Sequence, residues 1–145
     1  MNAIAPNPQS SPHAYLSRRY HLSASHRLRS DAFTPAENQS VYGKCNNPHG
    51  HGHNYTIEVT VAGPVDETTG MVCDLGELDA FAQTNLLSRF DTMNLNTLDA
   101  FRDRVSSTEN FTIEVFRIFQ QFPGAKLHNV RIEETSNNSF DYAES

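Results

Sequence analysis

Residues 51–61 place His51, His53, Tyr55, Ile57, Val59 and Val61 at alternate positions. Successive side chains of a strand point to opposite faces, so all six share one face. The other members of that face are aliphatic or aromatic, which makes it the core face. Two imidazoles therefore stand at the start of a strand, on the rim of a hydrophobic core. An upstream run repeats the pattern: Tyr20, Leu22, Ala24 and His26 alternate with His21, Ser23 and Ser25. If the two strands pair antiparallel, the end of the first meets the start of the second. His26 then lies beside His51 and His53. Three imidazoles with one position left open form the ligand set of catalytic zinc. Iron or nickel is compatible with the same ligand type.

Cys45 stands six positions before His51. As a fourth ligand it would close the site and make it structural. As an unligated thiol beside a metal it would act as a base or nucleophile. Cys73 reads as a buried apolar residue. Glu134 continues the parity of Val130 and Ile132. A carboxylate facing a core either pairs with a cation or binds a ligand, and its two oxygens can accept two parallel N–H bonds from a flat heterocycle. His13, His21, His49 and His128 read as surface or ordinary strand residues, although His49 shares a loop with Cys45.

The remaining segments order themselves by period. Asp74 with Glu77 resembles a capping box. It opens a helix whose stripe is Leu75, Leu78, Ala82, Leu86 and Phe90. Ser106 with Glu109 resembles a second box, before Phe111, Val115, Ile118 and Phe122, and Pro123-Gly124 ends that helix. His128 to Glu134 alternates as a third strand, and a turn at 136–138 leads to a fourth with Phe140 and Tyr142. Residues 28–50 read as a long loop, residues 91–104 as irregular and residues 1–14 as a loose tail. The expected fold class is α+β: a four-stranded antiparallel sheet with two helices on one face, in the order ββααββ, as one domain over 15–145. Such a sheet leaves its edges uncovered, which predicts an oligomer.

Eleven basic and 17 acidic residues give a formal charge of −6. That argues against non-specific nucleic-acid binding. No apolar stretch is long enough to span a membrane, and no signal peptide opens the chain. Two cysteines cannot build a disulfide framework, so a soluble cytoplasmic protein is expected. Arg18, Arg19, Arg27, Arg29 and Lys44 cluster in sequence near the histidines. They form either a solvated basic edge or a field suited to a small anionic substrate such as a phosphate ester.

The stretches Ser23 to Leu28, Gly43 to Tyr55, Thr69 to Val72, Ser107 to Asn110 and Glu134 to Asn138 together resemble the 6-pyruvoyl-tetrahydropterin synthases. The resemblance spans about residues 15–143. It implies the tunnelling fold (T-fold), with trimers closing a twelve-stranded barrel and two trimers stacked as a homohexamer. It implies Zn2+ held by His26, His51 and His53, a catalytic Cys45 and a pterin-anchoring Glu134. Thr108 and Glu109 fall in the segment that lines the family's pterin pocket. Asp91 matches the aspartate of a proton relay that works across a subunit boundary, but Thr92 stands where the family carries the relay's histidine. The implied activity is a zinc-dependent lyase that converts 7,8-dihydroneopterin triphosphate to 6-pyruvoyl-tetrahydropterin with loss of triphosphate. A related activity, 6-carboxy-tetrahydropterin synthesis in the queuosine pathway, usually goes with a shorter spacing between cysteine and His-Gly-His. A group that makes hydroxymethylpterin carries a glutamate in this loop, and none is present. The third reading is a degenerate homologue that binds pterin and zinc but turns over weakly.

Overall fold

The structure, a computed structural model, describes residues 12–144. Five strands form one sheet: β1 (His13–His26), β2 (His51–Pro64), β3 (Met93–Asn94), β4 (Lys126–Thr135) and β5 (Asn138–Tyr142), in the order β3-β1-β2-β4-β5. β1 and β2 pair antiparallel along their whole length, from His13 opposite Pro64 to His26 opposite His51. The four long strands are antiparallel, as expected. The fifth corrects the expected count: β3 lies parallel to β1, with Met93 opposite Ala24. It arises in the segment read as irregular. Most of the expected tail, residues 1–14, lies outside the described residues, and its last two, His13 and Ala14, belong to β1.

One face of the sheet carries Tyr20, Leu22, Ala24, Tyr55, Ile57, Val59, Val61, Val130 and Ile132, all buried. Two helical layers cover it. The first is α2 (Leu75–Ala82), which runs through a π turn at Gln83–Leu87 into α3 (Ser88–Phe90). Leu78, Ala82, Leu86 and Phe90 are fully buried along it. They recur in steps of four, and each step overshoots the 3.6-residue turn by about 40°. The wider π turn takes up this drift and keeps the stripe on the sheet. Asp79 ties α2 to β1, accepting two bonds from the Arg18 guanidinium (2.8 and 3.0 Å) and one from the Tyr20 hydroxyl (2.9 Å).

The second layer is α4 (Thr108–Phe119). Its cap is Ser107, whose hydroxyl accepts from the Asn110 N–H at 3.2 Å, and not the expected Ser106. Ser106 is buried and its carbonyl serves a histidine. Phe111 on α4 meets Tyr55, Phe90 and Phe101 at ring-centroid distances of 5.4, 5.3 and 6.2 Å. This aromatic cluster fixes the floor beneath the histidine end of the sheet.

The expected loop of residues 28–50 contains a helix, α1 (Pro35–Tyr42), followed by a 3-10 turn at Gly43–Asn46. Thr34 and Glu37 form a full capping box at its start. Among the described residues no helix is long and apolar enough to cross a membrane.

Candidate active site

The end-to-end register of β1 and β2 sets His26 opposite His51, and the period of β2 adds His53 on the same face. The rings stand edge to face, with centroids 4.8 Å apart for His26–His51, 5.2 Å for His26–His53 and 4.8 Å for His51–His53. His26 is 2% exposed. Its Nδ1–H donates to the Ser106 carbonyl at 2.7 Å, which leaves the Nε2 lone pair facing the cluster. A second bond of this kind orients a metal-binding imidazole and fixes its tautomer. Burial pushes His26 below its ordinary pKa, and the neighbouring His51 and His53 push the same way. Burial lowers His53 likewise. Neutral imidazoles are the form a metal requires.

The residues present fit a metal ion. His26 Nε2 and His51 Nε2 lie 3.2 Å apart. Two nitrogens on a tetrahedral zinc stand about 3.3 Å apart, given zinc–nitrogen bonds near 2.0–2.1 Å. One candidate ligand atom from each of the three histidines lies within 4.8 Å of the others. The Nε2 of His53 is buried with no hydrogen-bond partner among the described residues, a cost that a metal bond would remove.

Cys45 comes to the site through its backbone. The Leu28 N–H donates to the Cys45 carbonyl at 2.7 Å, and the buried Asn46 side chain donates to the Leu28 carbonyl at 2.8 Å. The chain then enters β2 through Gly50, where a Cβ would meet the His26 carbonyl at 2.9 Å and where φ is +69°. Only glycine lets the loop pass that close at that dihedral. Cys45 and His51 line one opening of about 620 Å³ with Gly43, Lys44 and Asn47. Burial raises the Cys45 thiol above its ordinary pKa, and the charge of Glu134 raises it further.

Glu134 sits at an irregularity of the β4–β5 pairing, between Glu133 opposite Ser139 and Thr135 opposite Asn138. On its other side the register with β2 runs from Thr56 opposite Glu133, so Glu134 comes next, beside Tyr55. The Thr108 hydroxyl donates to Oε2, and the Asn138 amide donates to Oε1 at 3.3 Å. Each oxygen keeps a lone pair for a ligand. The Glu134 charge raises the pKa of His26, His53, Cys45 and Tyr55 alike, so it lies within electrostatic range of each.

Two expected site residues lie elsewhere in this chain. Glu109 is exposed on the first turn of α4, and its side chain makes no hydrogen bond among the described residues. Asp91 lies beyond β1 from β2 and β4, where its carboxylate accepts the Ser23 N–H at 3.0 Å. Thr92 follows it with φ of 64°. Two contributors were not expected: the Ser106 carbonyl, which has no side-chain signature, and Tyr55, whose buried hydroxyl has no partner among the described residues.

A profile of the 6-pyruvoyl tetrahydropterin synthases matches residues 15–145. The chain belongs to this family. It is 44% identical over 135 residues to the 6-pyruvoyl tetrahydrobiopterin synthase of Drosophila melanogaster, covering 90% of this chain and 80% of that one. The human enzyme of the same name is 42% identical over 131 residues, 89% of this chain and 90% of its own. The solved structure of the Caenorhabditis elegans 6-pyruvoyl tetrahydropterin synthase superposes with a TM-score of 0.89 at 39% identity, covering 93% of this chain and 98% of that one. Identity this high over nearly the whole length carries the synthase fold to the chain with its helix-covered sheet intact.

Proposed function

We propose that the chain is a 6-pyruvoyl-tetrahydropterin synthase that converts 7,8-dihydroneopterin triphosphate to 6-pyruvoyl-tetrahydropterin and releases triphosphate. The observation that carries the reading is the cluster of three histidines with Cys45 lining an opening beside His51, on a chain 40–44% identical to several enzymes of that name. Glu134 accepts two N–H bonds from the pterin ring, held in position by Thr108 and Asn138. His26, His51 and His53 would hold zinc, with His26 aimed by the Ser106 carbonyl. A zinc ion held there would supply Lewis acidity to the substrate's side-chain hydroxyls and a positive field favouring the Cys45 thiolate. Cys45 moves protons at the side-chain carbons. Burial and the Glu134 charge both disfavour the thiolate, so pterin N–H groups that offset that charge would favour its ionisation. Asp91 serves the site of a neighbouring subunit, in a cytoplasmic hexamer, with Thr92 beside it in place of the relay's histidine. Among the described residues the outer edge of β5 and most of that of β1 carry no partner strand, which supports an assembly of this kind.

Cys45→Ala tests the assignment. The variant keeps its metal content and its affinity for dihydroneopterin, while triphosphate release falls by about 10²–10⁴-fold. Release at the unaltered rate would remove Cys45 from the mechanism.

A further inference from the structure

Four arginines come together in a groove of about 620 Å³ at the histidine end of the sheet: Arg27, Arg29, Arg102 and Arg104, joined by His49. Two of them come from the stretch after β1 and two from the irregular stretch before α4, so no sequence period links them. Asp31 and Asp103 also line the groove, and Asp99 and Glu114 pair with two of the arginines, so what the groove offers an anion is set by which guanidiniums are free. The other basic residues near the histidines in sequence go elsewhere. Arg18 is bonded to Asp79 and Arg19 to Glu58, and Lys44 lines the opening at Cys45.

The arginines differ in how firmly they are held. Arg27 has no carboxylate within ion-pair distance among the described residues, and its Nε–H donates to the Asn46 carbonyl at 3.1 Å. The rest of its guanidinium is left for a ligand. Arg29 pairs with Asp31 at 3.0 Å and Arg102 with Asp99, both at exposed positions. Exposed pairs of this kind are weak and readily exchange partners. Arg104 is tied to Glu114 at 2.8 Å and to the Ala100 carbonyl, with both charged groups largely covered, so it serves as the fixed wall.

The order across the sheet gives the groove its meaning. Glu134 lies on β4, the histidines on β2 and β1, and Asn94 and Asn96 of the groove lie at and after β3, on the far side of β1. Arg27 directly follows His26, and Gly50, another groove residue, directly precedes His51. We infer that this groove binds an oligophosphate chain and, given the function proposed above, holds the triphosphate of the substrate on the opposite side of the histidines from the pterin anchor. Arg27 is the primary ligand, and Arg29 and Arg102 turn from their exposed carboxylates to join it. Guanidinium groups suit this task because each presents paired donors to phosphate oxygens.

The test is calorimetric titration with inorganic tripolyphosphate and, separately, with dihydroneopterin. The metal-loaded protein is used, with its metal content measured before and after, because tripolyphosphate chelates metals. Arg27→Gln should weaken tripolyphosphate binding about tenfold or more, and Arg102→Gln about threefold. Arg117→Gln makes the same charge change on the exposed face of α4 and should leave it unaltered. All three should keep dihydroneopterin affinity. Since Arg27 also braces Asn46, the Arg102 variant provides a second reading free of that contact. Unaltered tripolyphosphate affinity in both groove variants would overturn the inference. Arginine-dependent tripolyphosphate binding without any dihydroneopterin binding would keep the groove and overturn the proposed function instead.

Discussion

Thr92 holds a φ of 64°, in the left-handed region that a β-branched side chain rarely enters. The surrounding bonds impose it. The Thr92 N–H donates to the Ser23 carbonyl at 2.6 Å, the Asp91 carboxylate accepts the Ser23 N–H, and the Thr92 hydroxyl donates to the Asp91 carbonyl at 2.6 Å. Asparagine and histidine tolerate this dihedral better than threonine. Thr92→Asn is therefore expected to raise stability by about 1 kcal/mol, read from denaturant unfolding, with no change in metal content. A destabilised variant would show that the threonine contacts outweigh the strain. Thr92→His should raise turnover as well, by up to the roughly 10²–10⁴-fold that a proton carrier contributes, and add a step near neutral pH to the rate profile. A slower Thr92→His enzyme would mean that another group already performs the relay. The three histidines could be read from the sequence because a period of two fixes the face each side chain occupies. The Ser106 carbonyl could not, since every residue carries a carbonyl and only the fold decides which one meets His26. Arg102 and Arg104 were hidden for a related reason: an irregular segment has no period to show where its side chains gather.

The long strands and the stripes of α2 and α4 follow from hydrophobic spacing, because each buries one face on the sheet. α1 buries only Asn38, so it has no apolar stripe to show itself by. Its signal is local: Thr34, then Pro35 in the first turn, then Glu37 closing the box. The Thr34 hydroxyl accepts the Glu37 N–H at 3.1 Å, and the Glu37 carboxylate accepts the Thr34 N–H at 3.1 Å. With so little burial, the cap carries much of the helix's stability. Thr34→Ala should cost about 1 kcal/mol and speed amide exchange through residues 35–42 more than in the sheet. Exchange unaltered in that segment would mean that packing against the following 3-10 turn holds α1 in place. That turn carries Cys45, so a loosened α1 should also raise the apparent KM. β3 is two residues long and has no pattern to read; it exists because Asp91 and Thr92 fasten the chain to the edge of β1.

At the scale of the whole molecule, the sheet order leaves one side of β5 and most of the outer side of β1 without a partner strand among the described residues, and Tyr15 on β1 is 65% exposed. The face of the sheet opposite the helices is polar and open as well. A barrel of several copies would pair those edges, and it would bring Asp91 and residue 92 of one subunit to the cavity of the next. Sedimentation should give a particle of about six chains, in line with closed symmetric assembly. A monomer at micromolar concentration would leave Asp91 on the far side of β1 and would contradict a site shared between subunits. The central claim concerns the reaction itself. The most direct measurement is to incubate the purified, zinc-loaded protein with 7,8-dihydroneopterin triphosphate and identify the products by mass spectrometry. The expected result is 6-pyruvoyl-tetrahydropterin with an equivalent of released triphosphate; a 6-carboxy-tetrahydropterin product, or substrate recovered unchanged, would contradict it.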